Sequence, residues 1–300
     1  MSKPLRSGYR VSLDTGGPEC EAFERELEAY YGVPYARVFN SATSALIAAV
    51  QSADQHDVIA APVITMSATA AAILHRGRAV EFMDVTDDYA IEDIPGRYAT
   101  TCILVHLFGH HLPRPKNMRS MIHDCAQSPT LKPTNDDKEQ VWVYSLNQHK
   151  PISCGEGGYA ITFSREIADR LHAVRNHGEC MTPDILGYNF RMTEMQAAVA
   201  RGEFKQLDER IKARRFWAAE MQERYDLPPD PGNMDWFLYP VRVKKNRETF
   251  AAHIPGARVG YHRLICDLPW FKAHGYGGEF PNARLIEESL VVIDPEYYGL

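Results

Sequence analysis

The chain is 300 residues long and 45% hydrophobic, enough to bury a sizeable core in one large domain or one large domain plus one small. Its 33 basic and 39 acidic side chains leave a net charge of −6, so there is no basic footprint for nucleic acid. No long apolar run and no charged-then-apolar N-terminal segment occurs; neither a membrane span nor a signal peptide is expected, and the expected location is cytoplasmic.

Residues 1–19 are irregular and end in Gly16-Gly17-Pro18. Residues 21–31 place Phe23, Leu27 and Tyr30 near helical spacing and stop at Gly32, a C-cap residue. A short strand over 36–39 runs through Asn40-Ser41-Ala42-Thr43 into a small-residue helix over 44–52. That unit leaves backbone N–H groups and two hydroxyls at a helix N-terminus, where a phosphate is favoured; an ordinary N-cap is the plainer account of the same residues. Strands follow over 57–61 and 79–85, with a helix over 67–76 between them that Gly77 ends, and then strands over 100–108 and 120–124. Short β-runs alternating with helices mean a mainly parallel α/β sheet, whose ligands collect beyond the carboxyl ends of its strands. Thr43, Asp124 and Lys150 all fall at or just after such runs, which brings them towards one crevice.

The apolar run 141–146 breaks into a polar turn carrying Ser145, Asn147, Gln148, His149 and Lys150. Gly155-Glu156-Gly157-Gly158 and a second strand over 159–163 follow, and glycines there let backbone approach a ligand. A lysine delivered at a strand end is a candidate Schiff-base nucleophile if its surroundings lower its pKa, although most lysines are solvated surface charges. Asp124 closes the run Ser120-Met121-Ile122-His123-Asp124; it can hold a pyridinium nitrogen protonated, as a pyridoxal cofactor requires, or cap a helix. Ser145 can donate to a phosphate or simply end its strand. His106, His110 and His111 have the composition of metal ligands, but they straddle a strand end and a loop without a local carboxylate or thiolate, so no metal is assigned. The six cysteines (Cys20, Cys102, Cys125, Cys154, Cys180 and Cys266) show no CxxC spacing and read as reduced thiols.

A helix over 164–175 is followed by Asn176-His177-Gly178, and Thr193 with Gln196 has capping-box spacing at the start of a long helix to about residue 225. Its charged stretch 203–215 reads as a solvated face with Leu207 and Ile211 turned inward. The proline-rich segment 226–235 divides a large α/β domain, 1–227, from a small α+β domain, 228–300. In the latter, strands are expected over 236–243, 258–264 and 290–293 and a helix over 247–253.

Seven segments, in order between about Gly16 and Phe271, resemble the DegT/StrS-type sugar aminotransferases, which are pyridoxal-phosphate enzymes of fold type I. They are Phe23 to Tyr31-Gly32-Val33; Asn40-Ser41-Ala42-Thr43-Ser44-Ala45-Leu46; Asp57-Val58-Ile59 with Pro62, Thr65 and Ala68-Thr69; His123-Asp124-Cys125-Ala126-Gln127; Ser145 and Lys150 with Gly155-Glu156-Gly157-Gly158; Arg175-Asn176-His177-Gly178; and Gly187-Tyr188-Asn189-Phe190-Arg191-Met192. The resemblance implies that Lys150 forms the internal aldimine and later shuttles protons, that Asp124 pairs with the pyridine nitrogen, and that Gln127 meets the 3-oxygen. It also implies that Ala42, Thr43 and Ser145 bind the phosphate, and that Asn189 reaches the phosphate site of a second subunit in a homodimer. The implied reaction moves an amino group from L-glutamate or L-glutamine to a keto sugar nucleotide or keto-cyclitol in two ping-pong half-reactions of amino-sugar biosynthesis.

This chain looks like a compact variant with departures. Met66 stands where an aromatic usually stacks on the cofactor, and its polarizable sulfur can pack on a π-face. Asn147 and Gln148 precede the lysine, placing the glutamine-bearing keto-cyclitol branch somewhat nearer than the histidine branch. His262 falls in the segment that brings a histidine towards the substrate, while a second such histidine is replaced around Cys266-Asp267. Asn147, Gln148 and His262 are the candidate substrate contacts. Two alternatives are a pyridoxal-phosphate sugar dehydratase, whose branches replace the lysine by histidine, and a non-catalytic binding or regulatory protein that keeps the fold.

Overall fold

The computed structural model describes residues 16–52, 58–91, 101–115, 118, 120–135, 140–178, 185–228, 232, 234–261 and 263–300. Its first helix, α1 (Pro18–Tyr31), leads into β1 (Tyr35–Phe39), α2 (Ala42–Ser52), β2 (Val58–Pro62), α3 (Ser67–His75), β3 (Ala79–Met83), β4 (Thr101–Val105), β5 (Ser120–Asp124), β6 (Gln140–Ser145), β7 (Gly158–Thr162) and α4 (Arg165–Arg175). The seven strands form one sheet in the order β1-β7-β6-β5-β4-β2-β3, in which only β7 runs against the others. The expected mainly parallel sheet is borne out.

Both faces of that sheet are covered, as parallel strands require. The two-residue period of β6 divides its side chains: Trp142 and Tyr144 join Phe23, Leu27 and Tyr159 under α1, whereas Val141 and Val143 join Leu46, Ile73 and Leu171 under α2, α3 and α4. Strands β4 and β5 are buried at every position, so Ser120, His123 and Asp124 of β5 are polar side chains held inside the sheet.

The helix expected over 193–225 is two helices, α5 (Glu194–Phe204) and α6 (Leu207–Tyr225). At the junction the Gln206 N–H donates to Glu203 O at 2.9 Å, three residues back, and this tightened turn lets Phe204 and Leu207 both face the core. The Thr193–Gln196 capping box is present. The solvated face read over 203–215 is interrupted: Arg214 is buried, and its Nη2 donates to Leu300 O at 2.9 Å.

The remaining chain gives β8 (Tyr239–Arg242), α7 (Arg247–Ala252), β9 (Ala257–Val259), α8 (Pro269–Ala273), α9 (Pro281–Ser289) and β10 (Leu290–Ile293). The strands make an antiparallel sheet in the order β8-β10-β9, and its inner residues Val241, Leu290 and Val292 belong to the same core as the large sheet. Two strands are shorter than expected because Trp236 (φ 49°) and Gly260 (φ 72°) leave the extended region. Helices α8 and α9 were not expected; proline in the first turn of each was the available signal. Among the described residues, no helix is long and apolar enough to cross a membrane.

Candidate active site

Strand ends from the large sheet, the N-termini of α2 and α3, and the C-terminal part of the chain enclose a cavity of about 570 Å³. Ala42, Thr43, Met66, Asp124, Gln127, Ser145, Asn147 and Lys150 all line it. One exposed end is Met66, the residue before α3, at 58% exposure.

The phosphate side depends on close packing. Ser41 Oγ accepts from Ser44 N at 3.0 Å and so caps α2, leaving the N–H groups of Ala42 and Thr43 at the cavity. Gly158, the first residue of β7, lies against this turn: a Cβ there would sit 2.5 Å from Ala42 N. Only glycine permits that approach. Ser145 Oγ, on the neighbouring strand end, accepts from Asn147 N at 3.3 Å.

Asp124 is buried at the end of β5. Its Oδ2 accepts from Thr69 Oγ1 at 3.0 Å and its Oδ1 from Ala126 N at 3.1 Å. Burial raises its pKa, while these two hydrogen bonds and the Lys150 charge act in the opposite direction. A buried carboxylate in this state has acceptor capacity for one more donor, and a cationic N–H is the partner that favours its ionised form. Thr69, on α3, is the orienting residue that the sequence analysis placed in a family segment without giving it a role.

Lys150 closes a tight turn in which its own N–H donates to Asn147 O at 2.9 Å. Asn147 shapes this turn with its side chain: Nδ2 donates to Glu156 Oε1 at 2.7 Å and Oδ1 accepts from His149 N at 3.1 Å. Burial lowers the Lys150 pKa from 10.5 to about 8, against the opposing pull of the Asp124 and Glu296 carboxylates, with Arg214 adding slightly to the lowering. Its Nζ lies 4.2 Å from the ring centroid of Phe237. Capture of pyridoxal phosphate by the cofactor-free protein is therefore expected to accelerate with pH through about 8. At pH 7 about a tenth of such lysines are neutral, against roughly three in ten thousand for a solvated lysine. Stopped-flow capture rates against pH check this; a rate still rising one-for-one with hydroxide to pH 10 would refute it.

Gln127 has a fixed amide orientation. Its Oε1 accepts from Phe108 N, and its Nε2 donates to Tyr261 OH at 3.4 Å, so the amino group faces the cavity. Phe108 is itself in the left-handed region (φ 61°), and the adjoining segment docks there, with Asp235 N donating to Gly109 O at 2.9 Å and Phe237 N to Phe108 O at 3.0 Å. This interlock carries Phe237 over the lysine. Phe237, Arg258, Tyr261, Asp294 and Glu296 line the cavity and were absent from the expected set.

Two expected residues stand elsewhere and a third lies outside the described residues. Gln148 is exposed, bonded to His149, and lines a smaller cavity of about 380 Å³ beside Lys150. Asn189 pairs with Asn176 in an isolated bridge, and its carbonyl accepts from Asn40 Nδ2 at 3.3 Å; it does not line the 570 Å³ cavity. His262 lies outside the described residues.

The histidines read as structural are occupied by the fold. His106 Nδ1 accepts from Leu112 N at 3.0 Å, which leaves Nε2 to donate to His123 Nδ1 at 3.1 Å; His123 Nε2 then donates to Gln140 Oε1 at 2.8 Å. Burial lowers the pKa of both rings, His123 to about 4. His111 Nε2 faces Asp235 at 3.4 Å, and His110 bridges to Met234. Among the described residues, no group of three His, Cys, Asp or Glu side chains is arranged to hold a metal. Cys20, Cys102, Cys125, Cys154 and Cys266 are free thiols; Cys180 lies outside the described residues.

The residues fit pyridoxal phosphate: a buried carboxylate for the ring nitrogen, an oriented amide for the ring oxygen, a helix N-terminus for phosphate and a lysine of lowered pKa all face one space. The profile of the DegT/DnrJ/EryC1/StrS aminotransferase family matches residues 9–294. The chain is 31% identical over 256 residues, 77% of its length and 69% of the relative's, to the UDP-N-acetyl-3-dehydro-alpha-D-glucosamine 3-aminotransferase of Acidithiobacillus ferrooxidans. It is 27% identical to the L-glutamine:2-deoxy-scyllo-inosose aminotransferase of Streptoalloteichus tenebrarius, over 72% of this chain and 59% of that one. Among solved structures it resembles a DegT DnrJ EryC1 StrS aminotransferase from Brucella abortus, with a TM-score of 0.79, 25% identity, and coverage of 96% and 89% of the two chains.

Proposed function

Because the chain belongs to the DegT/DnrJ/EryC1/StrS aminotransferase family, we propose that it transfers an amino group from an amino-acid donor, L-glutamate or L-glutamine, to the keto carbon of a sugar nucleotide or cyclitol. Pyridoxal phosphate, the family's cofactor, supplies the electron sink for the carbon that loses its proton. The observation that carries this reading is Lys150, at about pKa 8, facing the same cavity as the doubly held Asp124.

The chain's own groups divide the work. Lys150 would hold the cofactor, and its amine is the group placed to carry the proton that the reacting carbon loses and regains. Asp124, kept in place by Thr69 and Ala126 N–H, keeps a proton on the ring nitrogen. The Gln127 amino group donates to the ring oxygen, and Ala42 N–H, Thr43 and Ser145 hold the phosphate. Met66 packs against the cofactor through its sulfur. Asn147 orders the lysine turn and borders the acceptor, as do Gln148 and His262. The working protein on this reading is a cytoplasmic homodimer in which Asn189 completes the partner's phosphate site, and the chain divides into domains at 227/228. Retention of Lys150 weighs against a sugar dehydratase, whose branches replace that lysine by histidine.

Adding L-glutamate or L-glutamine to the cofactor-loaded protein, with no acceptor, is expected to convert the visible band of the lysine-linked cofactor to the pyridoxamine form. A keto acceptor should restore it. A spectrum that no amino donor changes would make the chain a binding protein instead.

A further inference from the structure

Lys150 borders two spaces, the cavity of about 570 Å³ on one side and the cavity of about 380 Å³ on the other. The Phe237 ring, 4.2 Å from its amine, arrives on a kinked segment: Trp236 stands in the left-handed region (φ 49°), where a bulky side chain is an outlier. A strained turn of this kind persists only where its surroundings hold it from several directions. One grip is the pairing with Phe108 and Gly109, packed so closely that a Cβ on Gly109 would lie 2.7 Å from Trp236 N.

The other grip is Arg214, midway along α6. Its side chain is buried, and its guanidinium reaches three backbone oxygens on two segments. Nη1 lies 3.4 Å from both Trp236 O and Phe237 O, and Nη2 donates to Leu300 O at 2.9 Å. Its Nε is buried without a partner, a cost that packing alone does not explain. The charges around Lys150 show what this wall has to do. Asp124, Glu156, His149, Asp294 and Glu296 border the larger cavity with Arg258 and Tyr261, and Arg210 and Glu296 border the smaller. The Asp124 and Glu296 carboxylates favour the ammonium form, so the lowering to about 8 comes from burial, with the Arg214 charge a small addition. Burial brings Arg214 itself only to about 10, so of the two buried cations the lysine releases its proton first.

We propose that Arg214 is a positioning residue for Lys150: by holding the Trp236–Phe237 turn and Leu300 in place behind the lysine, it keeps water from the amine and so keeps that amine nucleophilic. The proposal rests on Lys150 being the cofactor lysine and goes beyond it. Arg214 does not line the larger cavity and acts there only through Phe237.

The test follows, against pH, the capture of pyridoxal phosphate by the cofactor-free full chain. In parallel, without cofactor, it follows the rate at which an amine-acylating reagent labels Lys150, read by peptide mass spectrometry. In the wild type both should rise through a midpoint of about 8. Arg214→Gln should move both midpoints up by about one pH unit and slow capture at pH 7 by about tenfold. Arg214→Lys keeps a buried charge without the fork and should move them by about half as much; it decides the test if Arg214→Gln does not fold. A lower melting temperature with both midpoints unmoved is what a merely structural arginine gives, and it would overturn the proposal. A wild-type midpoint in Arg214→Lys would overturn it too, by making charge alone the cause. Lys150→Ala separates the two readings. Capture that persists in that variant refutes the cofactor lysine, whereas capture lost there with an unmoved midpoint in Arg214→Gln refutes only the part given to Arg214.

Discussion

Lys150→Ala is expected to lower amino transfer by on the order of 10⁴ or more, and at the same time to stabilise the cofactor-free protein below pH 8. The first effect follows from losing both the nucleophile and the proton carrier. The second follows from the lysine's environment. Its pKa is depressed from 10.5 to about 8, chiefly by burial, so between those values the unfolded chain binds the extra proton and stability rises with pH. Below pH 8 the folded protein carries the full cost of a buried charge, about 3 kcal/mol; above pH 10.5 that cost is gone. The variant lacks this step. It should therefore be the more stable of the two at pH 7.5, less whatever packing the side-chain stem provides, and should lose that advantage towards pH 10.5. Lys150→Met, which keeps most of the stem, isolates the charge. Denaturant unfolding of the three cofactor-free proteins at both pH values reads the difference. Parallel pH profiles for wild type and both variants would mean that the lysine is solvated and the nucleophile assignment is wrong. Strain held at a reactive group and relieved by inactivation is the usual signature of a site that function maintains against stability.

The cofactor half of the site was legible because each part sits at the end of a locally readable element. Asp124 ends a strand, Lys150 sits in the turn that follows one, Ala42 and Thr43 open a helix, and Gly158 marks a close backbone approach; period and turn chemistry locate all of them. The facing wall was not legible. Phe237 reaches the cavity because the segment after α6 docks on Phe108 and Gly109, a pairing between residues more than a hundred positions apart, and Tyr261 and Glu296 come from still later parts of the chain. No local pattern announces such a contact. The same limit explains the helix break at 205–206 and the burial of Arg214, since both are set by what the helix packs against and not by its own periodicity. The segment Arg175-Asn176-His177-Gly178 was found as a family resemblance and not as chemistry. In the fold it is a clasp: Phe190 N donates to Arg175 O at 3.1 Å, His177 N to Tyr188 O at 3.1 Å, and Asn40 N to Phe190 O at 2.8 Å. The chain after Ile185 is thereby tied to the turn that opens α2.

Arg175 is the part of that clasp with the largest expected effect on stability. It is 2% exposed, yet its Nη1 donates to Glu24 Oε1 at 2.5 Å and to Val38 O at 2.9 Å. Its Nη2 donates to His172 Nδ1 at 3.2 Å, and that ring remains neutral because burial first, and the guanidinium second, lower its pKa to about 3. Glu24 Oε1 also accepts from Val38 N at 3.0 Å, so one guanidinium ties α1, β1 and the end of α4 together. Arg175→Ala removes the nearer of two cations from a mostly buried carboxylate, leaving Glu24 only Arg37 at 3.8 Å, and takes the donor from a strand carbonyl. The expected loss is about 3–5 kcal/mol, with a melting temperature lower by about 10 °C. Arg175→Met restores volume but not charge, and should recover little. Arg175→Met combined with Glu24→Gln removes the buried charge that Arg37 alone, at 3.8 Å, would still face and should recover much of the loss, because the penalty lies in the under-compensated ion more than in the missing pair. If Arg175→Met alone matched the wild type, the ion pair would contribute only packing, and the clasp would owe its stability to the backbone hydrogen bonds between 174–178 and 188–190.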